Sequence, residues 1–526
     1  MPKVLIADKM DAVAAQIFKD NKIDVDVKPG LSPEELSAII GQYDGLAVRS
    51  ATKVKADAIG VAGPRLKIIG RAGIGVDTID VPAATNAGIV VMNTPFGNSI
   101  TTAEHAIAMM FALARQIPQA NESTHAGKWE KAKFMGVELY GKTLGVIGCG
   151  NIGSIVASRA LGLQMRVIAF DPFLTDDRAR DLGVEKVDLD TLLARADFIT
   201  LHTPLTDQTR NILDAAALAK TKKGVRIINC ARGGLIVEAD LKAALDSGHV
   251  AGAALDVFEE EPATANPLFG HANVICTPHL GASTTEAQVN VAIQVAEQMS
   301  DFLLNGAVSN AVNMPSISAE DAPRLKPYMK LAEQMGALAG QIADGAITKI
   351  AIEFMGDAAA LNTKPLSALI LASVLRATLD GVNMVNAPQV AKSRGIAVSD
   401  THSTDCPDFH TALRLTVTTE KGDHAVTGTL FAGKEPRIMD IENVPVEAAL
   451  AGRVLFIRND DTPGLIGAVG TMLGNAKVNI ADFRLGRVPG GNSAVALVSI
   501  DNDVPDDLFA ALSALPQIQS AKLLRF

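Results

Sequence analysis

A glycine-rich segment is the first feature of the sequence that could do chemistry. Residues 148–153, Gly-Cys-Gly-Asn-Ile-Gly, fit the pattern G-x-G-x-x-G and lie between an apolar run at 144–147 and a helix-like run. In that setting the glycines permit a tight turn, close approach to a pyrophosphate and close packing of helix on strand. The free N–H groups at the helix start attract phosphates. We therefore expect a dinucleotide site that includes Gly148, Gly150, Asn151, Ile152 and Gly153.

An acidic residue indicates which dinucleotide would bind. Asp171 ends the next strand-like run, about 20 residues after the glycines, where a carboxylate can accept hydrogen bonds from both ribose hydroxyls of NAD. Pro172 and Phe173 follow, so no arginine stands there to accept the extra phosphate of NADP. The sequence predicts NAD as cofactor. The alternative is a glycine turn followed by an exposed aspartate with no ligand.

Three polar segments follow later strand-like runs, at residues 229–234, 256–262 and 277–283. Ligands of open α/β sheets bind at the carboxyl ends of the strands, so these segments should meet beside the dinucleotide. His279 falls on a loop that leads into a helix, where Ser283 and Glu286 have the spacing of a capping box. Taken singly, each polar side chain could be only a solvated loop residue.

The elements that would position these residues form an α/β pattern. Residues 1–310 alternate short β-rich runs with helical runs, which predicts two doubly wound parallel-sheet lobes joined by a long helix at 101–115. We expect a substrate-binding lobe at 1–98, completed by about 284–310, and an NAD-binding Rossmann domain at 99–283.

The pattern of helix-like and strand-like runs changes in the C-terminal part of the chain. Residues 305–327 contain three prolines and predict a linker. Two α+β domains are expected beyond it, at 316–447 and at 452–526, the second with the order strand, helix, strand, strand, helix, strand.

Composition excludes several classes of protein. Lysine and arginine number 48 against 58 acidic residues, a net charge of −10, so a basic nucleic-acid-binding surface is not expected. No run of about 18 apolar residues predicts a membrane span. The cysteines, Cys149, Cys230, Cys276 and Cys406, show no metal-like spacing and are expected to be reduced thiols of a cytoplasmic protein without a metal.

The polar segments together resemble those of the NAD-dependent D-2-hydroxyacid dehydrogenase family, whose active site uses an arginine, a glutamate and a histidine. By motif position these are Arg232, Glu261 and His279. The resemblance implies that His279 takes the hydroxyl proton while hydride leaves carbon 2. Glu261 would fix the tautomer of the histidine, and Arg232 would clamp the substrate carboxylate.

Residues 70–77, 93–99 and 128–136 narrow the resemblance to one branch of that family. That branch oxidises 3-phospho-D-glycerate to 3-phosphooxypyruvate in the first step of L-serine biosynthesis, and its long form carries an intervening domain and a terminal ACT domain. The resemblance implies a homodimer or homotetramer. It also implies substrate contacts at Arg49, Ser50, Arg71, Gly73 and Asn98. Further cofactor contacts would come from Thr203, Cys230, Ala231, Arg232, Asp256, His279, Gly281 and Ala282.

Residues 459–465 and 478–480 resemble the ligand loop of ACT domains, so L-serine is an expected effector. Its contacts would be Asn459, Asp461, Gly464, Leu465, Asn479 and Ile480. Alternatively, the domain serves only in dimerisation. For the whole chain, the alternatives are a dehydrogenase of another D-2-hydroxy acid, such as glycerate or 2-hydroxyglutarate, and an NAD-sensing binding protein that acts like a corepressor.

Overall fold

The computed structural model describes residues 1–317, 321–488 and 490–526, which form four β-sheets in chain order. The predicted fold class is confirmed, with two parallel α/β lobes followed by two smaller α+β units. The domain bounds expected above stay a prediction, and the parts of them at 318–320 and 489 lie outside the described residues.

The first sheet is parallel, with the strand order β2-β1-β3-β4-β5. Its strands are β1 (Lys3–Ile6), β2 (Asp24–Val27), β3 (Gly45–Val48), β4 (Ile68–Arg71) and β5 (Val90–Met92). The helices are α1 (Ala12–Asp20), α2 (Pro33–Ile39), α3 (Ala56–Val61) and α4 (Val81–Asn86). The sequence did not predict β2, because it is only four residues long and none of them is buried.

The second sheet is also parallel and has the order β12-β11-β10-β9-β6-β7-β8. Its strands are β6 (Thr143–Ile147), β7 (Arg166–Phe170), β8 (Glu185–Lys186), β9 (Phe198–Leu201), β10 (Val225–Asn229), β11 (Val250–Leu255) and β12 (Val274–Cys276). The helices of this part are α5 (Ser99–Arg115), α6 (Ile117–His125), α7 (Asn151–Gly162), α8 (Asp176–Leu182), α9 (Leu189–Arg195), α10 (Ala215–Ala219) and α11 (Glu238–Asp246).

Two long helices connect the lobes. Helix α5 leaves the first lobe directly after β5 and packs on the second sheet, close to the helix predicted at 101–115. Helix α12 (Thr285–Asn305) returns to the first sheet, where Met299 and Val295 fill the space above Gly70. The predicted capping box at Ser283 is wrong. Thr284 is the N-cap, and its hydroxyl accepts a hydrogen bond from the backbone of Ala287.

The third sheet is mixed and has the order β14-β13-β15-β16-β17-β18. Its strands are β13 (Ile347–Gly356), β14 (Ala397–Ser403), β15 (Thr411–Thr419), β16 (Gly422–Phe431), β17 (Glu435–Ile441) and β18 (Val444–Ala448). Its helices are α13 (Ala322–Ile342), α14 (Lys364–Arg376) and α15 (Ala387–Ser393). Pro323 lies in the first turn of α13 and Pro327 lies inside that helix, so the predicted linker extends too far. Proline at a helix start loses little, because the first N–H groups have no helical acceptor.

The fourth sheet is antiparallel with the order β20-β21-β19-β22 and two helices, as its element order predicted. Its elements are β19 (Arg453–Asp460), α16 (Leu465–Asn475), β20 (Ile480–Arg487), β21 (Ser493–Ile500), α17 (Asp506–Ser513) and β22 (Ile518–Arg525). Across the described residues, none of the helices is long and apolar enough to cross a lipid bilayer.

Candidate active site

The glycine loop has the geometry that dinucleotide binding requires. Gly148 adopts a φ of 90°, which favours glycine, and turns the chain from β6 towards α7. A Cβ on Gly153 would lie 2.0 Å from the carbonyl oxygen of Gly148, so the helix packs directly on the turn. A Cβ on Gly150 would meet nothing within 4 Å, and α7 starts there without a side-chain cap. The loop therefore offers open space and uncapped N–H groups to a pyrophosphate.

Asp171 stands beside that loop at the end of β7. One carboxylate oxygen accepts a hydrogen bond of 2.8 Å from the backbone of Cys149, and the other accepts one of 2.8 Å from the backbone of Phe173. The carboxylate is thus fixed next to the opening above Gly150. Thr203, expected as a cofactor contact, lies against Gly148, and its buried hydroxyl has no hydrogen-bond partner among the described residues.

His279 and Glu261 form a hydrogen-bonded pair. Nδ1 of His279 lies 2.7 Å from Oε2 of Glu261, whose other oxygen accepts a hydrogen bond from the backbone of Phe258. The hydrogen bond to Glu261 raises the pKa of His279 above its usual value, although burial opposes the shift. Burial alone would raise the pKa of Glu261, but the hydrogen bonds from His279 and Phe258 hold it below its usual range. The pair leaves Nε2 of His279 for a substrate.

Asp256 lies behind this pair and is fully buried. Its carboxylate accepts hydrogen bonds from the Thr277 hydroxyl and from the backbone of Leu280 and Gly281. Burial would raise its pKa, yet hydrogen bonds from His105 and Thr277 hold the pKa below its usual range. Asp256 therefore remains ionised and anchors the loop that carries His279.

Three guanidinium groups converge from the two lobes. Arg232 follows β10 and reaches the first lobe, where its Nε donates to Asp77 at 3.0 Å and its guanidinium lies against Gly75. Burial and the positive charges of Arg232 and Arg49 lower the pKa of Arg71 to about 10. The Arg71 Nε atom is buried and has no hydrogen-bond acceptor among the described residues. The three guanidinium groups repel one another, and a bound anion between them would offset that repulsion.

The remaining residues expected to contact substrate lie around these arginines. Gly73 has a φ of 143°, and a Cβ there would lie 2.1 Å from Nη1 of Arg71. Asn98 precedes α5, and its buried Oδ1 has no partner among the described residues. Ser50 is exposed and directly follows Arg49. Of the further expected cofactor contacts, Cys230, Ala231 and Gly281 are buried, and Ala282 is half-buried.

Four of the expected effector residues, Asn459, Asp461, Gly464 and Leu465, lie where β19 ends and α16 begins. Asn479 and Ile480 lie at the opposite end of the sheet, because Ile480 pairs with Ile500, which pairs with Arg453 at the start of β19. Several of these residues are already paired. Asp461 accepts a hydrogen bond of 2.6 Å from Nε of Arg487, and Asn479 donates one of 2.6 Å to Asp501. Asn459 is only 2% exposed. Gly464 has a φ of 100° and caps α16, with Leu465 buried behind it and Ile480 half-buried at the start of β20.

Several residues of the site were not predicted, namely Asp77, Thr94, Thr102, His105 and Thr277. Thr94 supports the Arg71 loop, since its hydroxyl accepts a hydrogen bond from the backbone of Gly73. Asp77, Thr102 and His105 each bond a residue more than a hundred positions away in the chain. Thr277 bonds Asp256, which follows the neighbouring strand β11. A polar residue on an otherwise apolar helix face, as at Thr102 and His105, is the signal that could have indicated two of them.

Known families match three parts of the chain. Residues 107–281 match the NAD-binding domain of D-isomer specific 2-hydroxyacid dehydrogenases. Residues 324–442 match the D-3-phosphoglycerate dehydrogenase intervening domain, and residues 453–517 match the ACT domain. NAD is therefore the cofactor of an oxidoreductase, as predicted.

Full-length relatives and solved structures agree with these matches. D-3-phosphoglycerate dehydrogenase of Synechocystis is 47% identical over 99% of this chain and 94% of its own length. That of Bacillus subtilis is 42% identical, covering 100% of this chain and 99% of its own length. D-lactate dehydrogenase from Escherichia coli superposes with a TM-score of 0.53 at 28% identity, covering 59% of this chain and 99% of that one. The chain belongs to the D-3-phosphoglycerate dehydrogenase family.

Proposed function

We propose that this chain oxidises 3-phospho-D-glycerate to 3-phosphooxypyruvate with NAD, as the first step of L-serine biosynthesis. The observation that carries the proposal is the cluster of Arg49, Arg71 and Arg232 next to the His279–Glu261 pair. A substrate with both a carboxylate and a phosphate matches three neighbouring guanidinium groups better than a plain 2-hydroxy acid does. The full-length relatives bear the name of this activity.

The residues support specific roles in the oxidation. Arg232 binds the substrate carboxylate and stabilises charge on the C2 oxygen, while Arg49 and Arg71 bind the phosphate together with Ser50, Gly73 and Asn98. Neutral His279 accepts the hydroxyl proton at Nε2, because its Nδ1–H is held by Glu261. The ionised Glu261 then stabilises the imidazolium that forms.

The dinucleotide loop fits NAD. The space at Gly150 and the uncapped start of α7 lie beside the fixed Asp171, and the buried Thr203 hydroxyl, which has no partner among the described residues, lies against Gly148. When bound, NAD accepts the hydride that leaves carbon 2 of the substrate. Asp171 holds the ribose hydroxyls and disfavours the 2′-phosphate of NADP.

Steady-state NADH formation over a panel of 2-hydroxy acids tests the substrate. The panel pairs 3-phospho-D-glycerate with D-glycerate, and adds 2-hydroxyglutarate and D-lactate. We expect kcat/KM to be highest for 3-phospho-D-glycerate by at least about 100-fold, since a lost ionic clamp costs a few kcal/mol. A higher kcat/KM for D-glycerate or 2-hydroxyglutarate would overturn the assignment.

The terminal domain supports an L-serine effector site. It has a pair of opposite charges just before α16, where Asp461 lies next to Arg487. Such neighbouring opposite charges suit the carboxylate and ammonium of a zwitterion.

A homo-oligomer is supported by large apolar side chains that are exposed in one segment of the chain. Between α6 and β6, Trp129 is 87% exposed, Met135 is 79% exposed and Tyr140 is 68% exposed. Three such exposed apolar side chains within 12 residues indicate a contact surface, and a second copy of the chain is the partner we propose. Sedimentation analysis should give a dimer or tetramer. The free cysteines support a cytoplasmic location.

A further inference from the structure

One face of α5 holds the loop that carries His279. Thr102 and His105 lie one turn apart on that helix. The Thr102 hydroxyl donates to the carbonyl of Gly281 at 2.9 Å. Nε2 of His105 lies 3.2 Å from the Thr277 hydroxyl and 3.3 Å from Oδ1 of Asp256.

These side chains surround the buried carboxylate of Asp256, which holds the backbone of the same loop. Thr277 donates its hydroxyl proton to Asp256 at 2.6 Å, Leu280 donates its N–H at 2.7 Å, and Gly281 donates its N–H at 2.8 Å. The backbone N–H of His279 donates to the carbonyl of Asp256 at 2.9 Å. His279 itself has a φ of 55°, an unfavourable conformation for a residue other than glycine, so surrounding contacts must maintain it.

We propose that His105 and Thr277 are positioning residues of the oxidation, which orient the Asp256 carboxylate so that the loop presents His279 to Glu261 and to the substrate. The inference rests on the proposed function and extends it, because neither residue touches the reacting atoms. Helix α5 begins directly after Asn98, so the same helix links a proposed substrate contact to the position of the proton acceptor.

A metal ion is the competing interpretation of this cluster. The ligand atoms of His105, Cys230 and Asp256 lie within 4.8 Å of one another. However, the Asp256 oxygens already accept hydrogen bonds from Thr277, Leu280 and Gly281. Burial and the nearby Asp256 raise the pKa of the Cys230 thiol, which disfavours the thiolate that a metal would need. The cluster is therefore a hydrogen-bonded network.

Removing a hydrogen bond from this network should lower the rate of oxidation and shift its pH profile. A shift of about 1 Å in a reacting group can cost on the order of 100-fold in rate. The charged groups facing His279 are Glu261, Asp256 and Arg232. If the loop moves, the hydrogen bond to Glu261 weakens and the pKa of His279 falls towards its usual value. The acidic limb of the pH profile then moves to lower pH.

The experiment compares variants that remove a hydrogen-bonding group with variants that keep it. Thr277→Val and His105→Leu remove it, whereas Thr277→Ser and His105→Gln retain a hydroxyl and an N–H donor. Thr221→Val is the matched control, because Thr221 lies 3.1 Å from Nε2 of His249 and also bonds a backbone carbonyl at 2.7 Å, in the same domain but near the opposite edge of its sheet. The full-length enzyme is used, and kcat, KM and the pH profile of kcat/KM are measured.

We expect Thr277→Val and His105→Leu to lower kcat by about 10- to 100-fold, with KM for the 2-hydroxy acid within about threefold and the acidic limb at lower pH. Thr277→Ser and His105→Gln should recover most of kcat, and Thr221→Val should change thermal stability alone. The inference is overturned if Thr277→Val behaves like Thr221→Val, or if Thr277→Ser fails to recover the kcat that Thr277→Val loses. Loss of activity on addition of a chelator would favour the metal instead.

The test stays separate from the substrate assignment, since the variants are assayed on whichever 2-hydroxy acid the wild type oxidises best. Failure of the substrate panel therefore leaves this comparison intact. Conversely, failure of this comparison leaves the substrate assignment standing.

Discussion

At the scale of single residues, the site combines a cluster of arginine side chains, which repel one another, with a hydrogen-bonded histidine–glutamate pair. Arg71 is buried beside two further arginines, while Glu261 supports His279, the proposed proton acceptor. Oxidation of an anionic 2-hydroxy acid needs both features, because the clamp fixes the substrate and the histidine removes its proton.

Removing the proton acceptor should abolish most of the turnover and little of the binding. We expect His279→Ala to lower kcat by about 10²–10⁴-fold, the usual contribution of a positioned acid–base group. NADH affinity, measured by fluorescence titration, should stay within about threefold, since the imidazole supplies little of the binding energy. Turnover at the wild-type level in this variant would exclude His279 as the acceptor.

The partner of the histidine should control the pH dependence. Oxidation requires neutral His279, so activity falls as the pH drops through the pKa of His279, which the hydrogen bond to Glu261 raises. In Glu261→Gln the ionic partner is lost, the pKa of His279 falls, and the acidic limb of kcat/KM moves to lower pH. An unmoved limb would contradict the pairing.

Sequence reasoning could predict the residue types of the site but not all of their partners. The Arg232, Glu261 and His279 segments follow strands, so topology places them at one edge of the sheet. The contact of Arg232 with Asp77 joins residues 155 positions apart and depends on how the two lobes meet. No local pattern predicts that contact.

At the scale of secondary-structure elements, two glycines of the strand–turn–helix unit at 143–162 have different roles. Gly153 permits packing inside the protein, whereas Gly150 leaves space outside it. This difference can be measured with a pair of substitutions of equal size.

Gly153→Ala should destabilise the fold, because its methyl group would lie 2.0 Å from the Gly148 carbonyl oxygen, and we expect a loss of about 1–3 kcal/mol in the free energy of unfolding. Gly150→Ala should leave the melting temperature nearly unchanged but weaken NADH binding at least about tenfold, since the methyl group enters the pyrophosphate space. Thermal melts and NADH titration distinguish the two. Equal melting temperatures and equal affinities in the two variants would refute this division of roles.

The long, apolar and regularly spaced elements were predictable, and the short or polar ones were not. The helix predicted at 101–115 is observed at Ser99–Arg115, and the last domain has the predicted order of strand, helix, strand, strand, helix, strand. The two-residue strand β8 is exposed and carries no apolar pattern. Helix α13 begins earlier than expected: Pro323 stands in its first turn, where helices tolerate proline, and the helix continues through Pro327.

At the scale of the whole molecule, the third unit contacts both the catalytic lobes and the terminal domain. Asn383 donates to the carbonyl of Gly88 at 2.9 Å in the first lobe. On the other side, Glu442 accepts a hydrogen bond from Arg458 at 2.7 Å, and Lys522 pairs with Asp344 at 2.7 Å. The third unit therefore lies between the substrate lobe and the terminal domain, a relation that no sequence motif indicates.

L-serine should inhibit the enzyme if the terminal domain binds it as proposed. We expect Asp461→Ala to relieve inhibition while turnover without serine is unchanged, because Asp461 lies far from the proposed catalytic residues along the chain. Calorimetry on the full-length enzyme should detect serine binding without substrate, since an effector must have its own affinity. No heat at millimolar serine and no inhibition would mean that the domain serves assembly alone.

The most direct test of the central claim is whether the arginine cluster recognises the phosphate of the substrate. The measurement is kcat/KM of wild type and of Arg71→Ala with 3-phospho-D-glycerate and with D-glycerate, which differ only in that phosphate. We expect Arg71→Ala to lower kcat/KM for the phosphorylated substrate by about 100-fold and for D-glycerate by less than about threefold, because a phosphate clamp acts only where a phosphate is present. An equal loss with both substrates, or no loss with either, would contradict the account.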